Sequence, residues 1–406
     1  WVQGQKLRPA LPKILRLEFE LKILFFQGKA NLPANRRQPQ VIEDTHGPSV
    51  VEPVRRIQKN CCRVRNGGIA LPIMKQGYFD MAIELTIALE RYDRHVPFFM
   101  GMVTQPNGIL LKALEVGMAP PRRDGIDRHA RFMKGEEFDI CEMSVSSYLT
   151  AKSRGLDYTA TPVFPRRLFS QNHMFVSTKA GIDKPADLIG RKVCCRSFQT
   201  TMSVLAKGDL AFEYGVPWQE LDWQTMSAEL IDWPGREAAD LTLIDEPSAP
   251  DALIKGDLAM MTPPPPPRRL LEGLREGSVR RLFPDTKEEC ARYFKKYGDY
   301  PIMHVLVYKQ EIADNHPDLP RALINMWEDS RKQAAEFYED PGYSELAFAR
   351  NDFEEEQALF GADIWPSGLA ANRASIERFM KYLTDQTLID APYAVEELFH
   401  ESVLDS

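Results

Sequence analysis

Short apolar segments alternate with longer segments of helical periodicity along most of the chain, and this alternation predicts strands and helices in turn. Predicted strands lie at 83–89, 128–133, 158–164, 173–177, 192–195, 220–226, 257–261 and 301–308, and predicted helices begin near Val145 and span 202–214, 317–340, 344–360 and 372–386. Ser144 precedes the first of these helices as an N-cap, and Gly215 ends the second. The pattern predicts α/β lobes with largely parallel sheets, with the C-terminal helices packed back on the first lobe.

The first eighty residues do not follow this pattern. Residues 32–56 are polar, contain prolines and lack periodicity, and charged residues interrupt the apolar segment 10–26. A secretory signal has an uninterrupted apolar core and a small-residue cleavage site, and neither is seen before residue 81. We expect 1–80 to be a disordered or extraneous basic leader, and the alternative is a basic amphipathic docking segment.

Charge supports a boundary near residue 80. Residues 1–80 hold 14 Lys and Arg against 6 Asp and Glu, whereas residues 81–406 hold 37 against 52. The whole chain carries a net charge of −7 over 406 residues, which argues against a general nucleic-acid binder. A content of 44% hydrophobic residues excludes a mostly disordered chain, and no apolar run is long enough to span a membrane. Six cysteines without metal-ligand spacing indicate reduced, buried thiols.

Several segments occur in an order that resembles one enzyme family. They are EEFDICEMSVSSYL at 136–149, PVFPRRLF at 162–169, AGIDKPADLIGRKVCC at 180–195, AFEYGV at 211–216, RRLFPD at 280–285, YPIMH at 300–304 and WPSGLAANR at 365–373. Together they resemble the 4,5-dihydroxyphthalate decarboxylase family, over roughly residues 81–400. Residues 1–80 have no counterpart in this resemblance.

The resemblance implies a bilobal fold like that of type 2 periplasmic binding proteins, with two mixed or parallel sheets joined by two crossover strands. Lobe one would comprise 81–177 and 301–406, and lobe two 178–300. It further implies a cytoplasmic carboxy-lyase of phthalate degradation that converts 4,5-dihydroxyphthalate to 3,4-dihydroxybenzoate and CO2. The competing function is a small-anion binding protein of the transporter class, which shares this fold and would require export.

Decarboxylation of a hydroxylated arene needs a base for the hydroxyl para to the leaving carboxylate and an acid for the ring carbon that carries it. His304 lies at the predicted lobe crossover and is the first candidate for proton donor, and His173, before the other crossover, is the second. Glu90 and Asp93, in the loop after the first strand, are candidates for the base. For each, the alternative is a structural role in the core or a solvated loop.

The substrate's carboxylates call for cations and hydroxyls that face the cleft. The candidate substrate-binding residues are Arg166, Arg167, Arg196, Arg236, Ser144, Ser146, Ser147, Tyr92, Thr200 and Thr201. Surface solvation is the alternative for the arginines, and helix capping is the alternative for the serines. No Gly-rich phosphate loop or dinucleotide motif occurs, so no cofactor is expected. A divalent metal held by His173, His304 and Glu142 remains open, as does a homo-oligomer; no nucleic-acid or membrane partner is expected.

Overall fold

The computed structural model describes residues 82–117 and 127–406. Its strands are β1 (Ile83–Leu89), β2 (Ile109–Glu115), β3 (Ile140–Ser144), β4 (Tyr158–Thr161), β5 (Phe175–Ser177), β6 (Lys192–Cys195), β7 (Asp222–Thr225), β8 (Leu241–Leu243), β9 (Met260–Thr262), β10 (Val279–Arg281) and β11 (His304–Lys309). The predicted leader, 1–80, lies outside the described residues.

Helices connect and cover these strands. They are α1 (Val96–Phe99), α2 (Arg128–Gly135), α3 (Val145–Ser153), α4 (Thr201–Tyr214), α5 (Ala249–Lys255), α6 (Arg268–Glu276), α7 (Thr286–Tyr297), α8 (Gln310–Asn315), α9 (Leu319–Glu339), α10 (Ala349–Phe360) and α11 (Leu369–Asp385). Short 3-10 turns join several of them, including Ser170–His173 before β5.

The strands form two mixed sheets. The first has the order β2-β1-β3-β11-β4, in which β11 runs antiparallel to both of its neighbours. The second has the order β10-β5-β9-β6-β7-β8, with parallel pairing from β9 to β8. The chain passes from the first sheet to the second through 162–174 and returns through 282–303. This arrangement confirms the predicted α/β class with two sheets and two crossovers.

One predicted strand is wrong. Residues 128–133 lie in α2, because Asp127 caps a helix: its carboxylate accepts a hydrogen bond from the backbone N–H of His129 at 2.8 Å. Phe132 of α2 is buried, whereas Lys134 and Gly135 are exposed. The weak alternation in this segment therefore reflects a short amphipathic helix and not a strand.

The C-terminal helices do not all pack where the sequence pattern places them. Helix α9 lies on the first sheet, against α1 and β4, as expected. Helix α11 lies instead against α4, which follows a strand of the second sheet. Close approach is possible because Gly208 of α4 meets the ring of Tyr382, where a Cβ atom would come within 2.2 Å of ring carbons.

A buried carboxylate lies where α4 meets the first crossover. Asp209 accepts hydrogen bonds from Ser170 at 2.6 Å, Tyr293 at 3.0 Å and Tyr382 at 2.9 Å. These four residues, called the Asp209 network below, join α4, the crossover, α7 and α11. Burial raises the pKa of Asp209 to about 6, although the three hydroxyl donors oppose this rise.

Candidate active site

Strand register places three polar side chains on one face of the first sheet, at the end of two inner strands, β3 and β11. Glu142 and Ser144 are two residues apart on β3, so they share a face. His304, the first residue of β11, lies directly opposite Ser144 in the antiparallel ladder. His304 and Glu142 are therefore diagonal neighbours on the same face, within side-chain reach.

His304 and Glu142 form a buried hydrogen-bonded pair. The Nδ1 atom of His304 lies 2.5 Å from Oε1 of Glu142, and both side chains are almost fully buried. Burial lowers the pKa of His304 to about 4, against the opposing effect of Glu142. The imidazole is therefore neutral near pH 7, with Nδ1–H donating to the carboxylate. Nε2 of His304 has no hydrogen-bond partner among the described residues.

A buried arginine keeps Glu142 ionised. Burial alone would raise the pKa of Glu142, but Arg128, whose Nη2 lies 3.4 Å away, and then His304 hold it well below its usual range. Arg128 also lies 3.5 Å from a carboxylate oxygen of Glu90 and donates to the backbone oxygens of Glu142 and Val116. The backbone N–H of Glu90 donates to Glu142 at 2.9 Å. Glu142, His304, Arg128 and Glu90 are called the Glu142 network below.

A second histidine lies beside this network. The ring of His129 packs edge-to-face on that of His304, with centroids 5.3 Å apart. Its Nδ1 lies 3.7 Å from Oδ1 of Asp127, which is too long for a hydrogen bond, and its Nε2 is buried without a partner. Burial lowers the pKa of His129 to about 3. The structure thus places two neutral imidazoles side by side.

Tyr92 supplies a buried hydroxyl next to the same network. Its OH group has no hydrogen-bond partner, and burial raises the pKa of Tyr92 above its usual value, so the group remains a neutral donor. The guanidinium of Arg94 stacks on its ring at 4.1 Å, and the ring of His95 lies 5.1 Å away. His95 itself donates from Nδ1 to the backbone oxygen of Glu90, which fixes the loop after β1.

Arg166 is a half-buried cation without a carboxylate partner in the described part of the chain. Its loop is tied to β11, because its backbone oxygen accepts hydrogen bonds from the N–H groups of Met303 and His304 at 2.8 and 3.2 Å. Burial lowers the pKa of His173 to about 4, and the positive charge of Arg166 is the next largest cause of this shift. It also acts on Tyr92 and His304. Arg166 is thus positioned to receive an anion.

Two predicted site residues bond to other parts of the protein. Arg167 is buried and donates to backbone oxygens of Tyr300 and Pro366 at 2.7 and 2.9 Å and to Asn372 at 2.5 Å, so its guanidinium anchors the C-terminal segment. Asp93 accepts hydrogen bonds from Arg94 and from Tyr338 of α9. The structure does not bring either side chain to the His304 site.

The predicted hydroxyls lie where α3, which follows a strand of the first sheet, meets α4, which follows a strand of the second sheet. Ser144 caps α3 and its hydroxyl lies 2.7 Å from that of Thr201, which also accepts from the N–H of Ser146 at 3.4 Å. Ser147 donates its N–H to Ser144, and Thr200 lies 2.9 Å from Ser197. Of these hydroxyls, those of Ser144 and Thr201 bond to each other, that of Thr200 pairs with Ser197, and that of Ser146 is buried without a hydrogen-bond partner among the described residues.

Side chains of the protein itself bind the backbone and the arginine just before α4. The N–H groups of Phe198 and Gln199 donate to Glu229 at 2.6 and 3.0 Å. The side chain of Arg196 lies 3.3 Å from Glu246. Arg236 is exposed, and its nearest carboxylate is Asp232 at 4.0 Å. In this structure, therefore, Arg196 is paired with a carboxylate of the protein, and the structure does not bring it or Arg236 to the His304 site.

No group of three or more His, Cys, Asp or Glu side chains is placed to hold a metal ion within residues 82–117 and 127–406. None of the helices in that same part is both long and apolar enough to cross a bilayer.

Sequence reasoning missed the cation and the second histidine of the site. The weak alternation of 128–133 predicts a strand, in which side chains alternate between faces, so it does not place Arg128 and His129 at one site. The signal that could have found them is Asp127 followed by a short amphipathic segment, which is an N-cap pattern. From the sequence, Glu142 is a candidate for the same roles as Glu90 and Asp93, taking the hydroxyl proton or orienting a histidine, and for binding a metal. Its pairing with His304 could not be predicted, because it depends on the register between distant strands.

Comparisons with known proteins show which family the chain belongs to. No family model matches the chain. The 4,5-dihydroxyphthalate decarboxylase of Comamonas testosteroni is 30% identical over 340 residues, which cover 80% of this chain and 98% of that protein. The protein of the same name from Pseudomonas putida is 32% identical over 94 residues, which cover 23% of this chain and 36% of that protein.

Solved structures with a similar chain path include the periplasmic aliphatic sulphonate binding protein of Escherichia coli. It has a TM-score of 0.48 and 11% identity, covering 80% of this chain and 99% of that one. A desulfurization enzyme, DSZB, has a TM-score of 0.42 and 15% identity, covering 79% and 97%. On the near-complete match to the Comamonas protein, this chain belongs to the 4,5-dihydroxyphthalate decarboxylase family, a family of carboxy-lyases.

Proposed function

We propose that this protein decarboxylates a hydroxylated aromatic dicarboxylate, with 4,5-dihydroxyphthalate as substrate and 3,4-dihydroxybenzoate and CO2 as products. The observation that carries the proposal is the His304–Glu142 pair beside the unpaired cation of Arg166. The family relationship supports the substrate. We further propose a cytoplasmic location and a role in phthalate degradation.

Arg166 provides the binding charge. A guanidinium without a carboxylate partner gains a bidentate, charge-assisted contact when a substrate carboxylate arrives. We assign this contact to the carboxylate that is retained, since it persists through the reaction. Tyr92 adds a neutral hydroxyl that can donate to a substrate oxygen. His173, whose pKa is lowered by burial and then by Arg166, is a neutral group within range of the charge of Arg166.

His304 provides the proton for the ring carbon. In the empty site its imidazole is neutral, because burial outweighs the effect of Glu142. Two substrate carboxylates bring negative charge into the site, and negative charge raises the pKa of a nearby histidine. Glu142 then stabilises the imidazolium through the Nδ1 hydrogen bond, and Nε2–H donates to the carbon that carries the leaving carboxylate.

The reaction needs electrons from the para hydroxyl. Loss of the hydroxyl proton pushes electron density to the ring carbon, which accepts the proton from His304 and becomes tetrahedral. The C–C bond to the carboxylate then breaks, CO2 leaves, and its electron pair restores the aromatic ring. A dry pocket around the leaving carboxylate favours its conversion to uncharged CO2.

The test is to incubate the purified protein with 4,5-dihydroxyphthalate, with and without a chelator, and to follow aromatic products and CO2. We expect stoichiometric 3,4-dihydroxybenzoate and CO2, and the chelator arm determines whether a metal takes part. A ligand-induced thermal shift without product would contradict the proposal and favour an anion-binding protein.

A further inference from the structure

The site contains more proton-transfer capacity than His304 alone provides. His129, at the start of α2, lies edge-to-face with His304 at 5.3 Å between ring centroids. It has its own carboxylate, Asp127, at 3.7 Å from Nδ1. Two histidines, each with an acidic neighbour, thus converge on one point from α2 and β11.

The second histidine lacks a structural explanation. Its side chain is about nine-tenths buried, and its Nε2 makes no hydrogen bond. Buried polar groups in proteins are nearly always hydrogen-bonded, and an unpartnered one destabilises the fold. Such a group next to the proposed proton donor fits a partner that arrives with the substrate.

We infer that His129 is the base that removes the proton from the substrate's para hydroxyl, and that His304 is the acid that protonates the ring carbon. This inference rests on the proposed function. It replaces Glu90 and Asp93, the bases that sequence reasoning favoured. Glu90 lies 3.5 Å from the guanidinium of Arg128, and Asp93 is bound to Tyr338 and Arg94.

The roles of His304 as acid and His129 as base follow from a difference between their neighbouring carboxylates. Glu142 is fully buried and is hydrogen-bonded to His304 at 2.5 Å, so a proton that enters the pair is best stabilised on His304. Asp127 is more distant from His129 and is partly exposed. Two imidazolium ions at this separation would repel each other, so a single proton on the pair leaves one acid and one base.

The charged and titratable groups around His129 are consistent with its role as the base and with the role of His304 as the acid. Asp127 and Arg128 flank it on α2, His304 faces it from β11, and Glu142 faces it from β3. Burial lowers the pKa of His129, Asp127 opposes this effect, Arg128 and a charged His304 add to it, and Glu142 opposes it. His129 is therefore neutral while His304 carries the charge. Once His304 has given its proton to the ring carbon, that repulsion is gone and Asp127 stabilises a proton on His129.

The proton balance closes over one turnover. A nitrogen of His129 takes the hydroxyl proton, and His304 gives its Nε2 proton to the ring carbon. When CO2 leaves, the C–C electron pair returns to the ring and regenerates a phenolate, which recovers its proton from His129. His304 is then reprotonated from solvent. The net change is one proton consumed for each CO2 released, and no oxidant or reductant is required.

The experiment compares His129→Gln with wild type on two substrates. With 4,5-dihydroxyphthalate at pH 7, we expect kcat to fall by about 10²–10⁴-fold, which is the usual contribution of a positioned base. With a ring-fluorinated analogue, whose hydroxyl is more acidic, the deficit should shrink, because part of the substrate arrives already ionised. His304→Gln should show no such recovery, since the ring carbon still needs its acid.

The pH profile gives a second readout that a merely structural role would not produce. In His129→Gln the deficit should decrease as the pH rises and the substrate hydroxyl ionises in solution. The control is His316→Gln, which removes a histidine at the end of α8 that belongs to neither the Glu142 network nor the His129–His304 pair, and it should leave kcat unchanged. If His129→Gln folds poorly, His129→Ala takes its place, and imidazole added to the solution should restore the turnover of that variant.

The outcomes separate the two hypotheses. A wild-type protein that does not turn over dihydroxyphthalate would overturn the proposed function and the base assignment together. Normal turnover by wild type, with an equal deficit of His129→Gln on both substrates and no imidazole rescue, would overturn only the base assignment.

Discussion

Two buried carboxylates, Glu142 and Asp209, have the same chemical type and almost the same exposure but opposite electrostatics. Arg128 and His304 surround Glu142, and they outweigh burial to hold its pKa well below the usual range. Three hydroxyl groups surround Asp209, and burial still raises its pKa to about 6. Hydroxyl donors satisfy the hydrogen-bonding capacity of a carboxylate but supply no net charge. Of these two networks, that of Glu142 stabilises the anion, whereas that of Asp209 leaves an ionised carboxylate without a compensating charge.

The two groups also affect stability with opposite signs. Glu142 has a lowered pKa in the folded state, so it contributes stability above its unfolded pKa, and that stability is lost as the pH falls through the folded value. Asp209 binds its proton more tightly in the folded state, so its contribution is present below pH 3.8 and is lost as the pH rises to about 6. Near neutral pH, Glu142 stabilises the fold, whereas an ionised Asp209 opposes it.

The largest effect should come from removing the cation of the Glu142 network. Arg128→Met leaves a buried, uncompensated carboxylate, and breaking such a pair typically costs about 3–5 kcal/mol. We expect the free energy of unfolding, measured with urea at pH 7, to fall by that amount. Arg268→Met is the control, because Arg268 is 91% exposed and its pairing with Glu272 contributes about 1 kcal/mol or less. An equal, small effect of both changes would contradict the account of Glu142.

Neutralising Asp209 should instead stabilise the protein at high pH. The rise of its pKa from 3.8 to about 6 corresponds to roughly 3 kcal/mol. Asp209→Asn should remove this cost above pH 7 and should bring little gain at pH 4, where wild-type Asp209 is protonated. Urea unfolding of both proteins at the two pH values isolates Asp209, since the buried histidines titrate equally in both. A gain that does not depend on pH would contradict the assigned pKa.

A smaller contrast separates the adjacent arginines. Arg166→Gln should raise KM by roughly 10–100-fold, the value of one charge-assisted contact, and should leave stability unchanged. Arg167→Gln should lower the free energy of unfolding by about 1–3 kcal/mol, because its three acceptors lose their donor. Steady-state kinetics and urea unfolding of both variants measure the two effects. A higher KM in the Arg167 variant alone would reverse the assignment.

The apolar pattern predicts the α/β class, and the family resemblance implies the two lobes and the position of His304 at a crossover strand. Local signals support the class: a strongly apolar strand, an N-cap at Ser144 and a C-terminal glycine at Gly215. The partners of His304 could not be predicted, because they depend on the register of β11 against β3 and on where α2 packs. Neighbouring Arg166 and Arg167 are chemically identical in the sequence, and only packing separates the unpaired guanidinium from the anchored one.

The most direct test compares CO2 release from 4,5-dihydroxyphthalate at pH 7 by Glu142→Gln and Asp209→Asn. If the Glu142 network carries the proton transfer, Glu142→Gln should lower kcat by about 10²–10⁴-fold. Asp209→Asn should remain close to the wild-type rate. Equal rates for Glu142→Gln and wild type, or an equally large loss for Asp209→Asn, would contradict the assignment of this site.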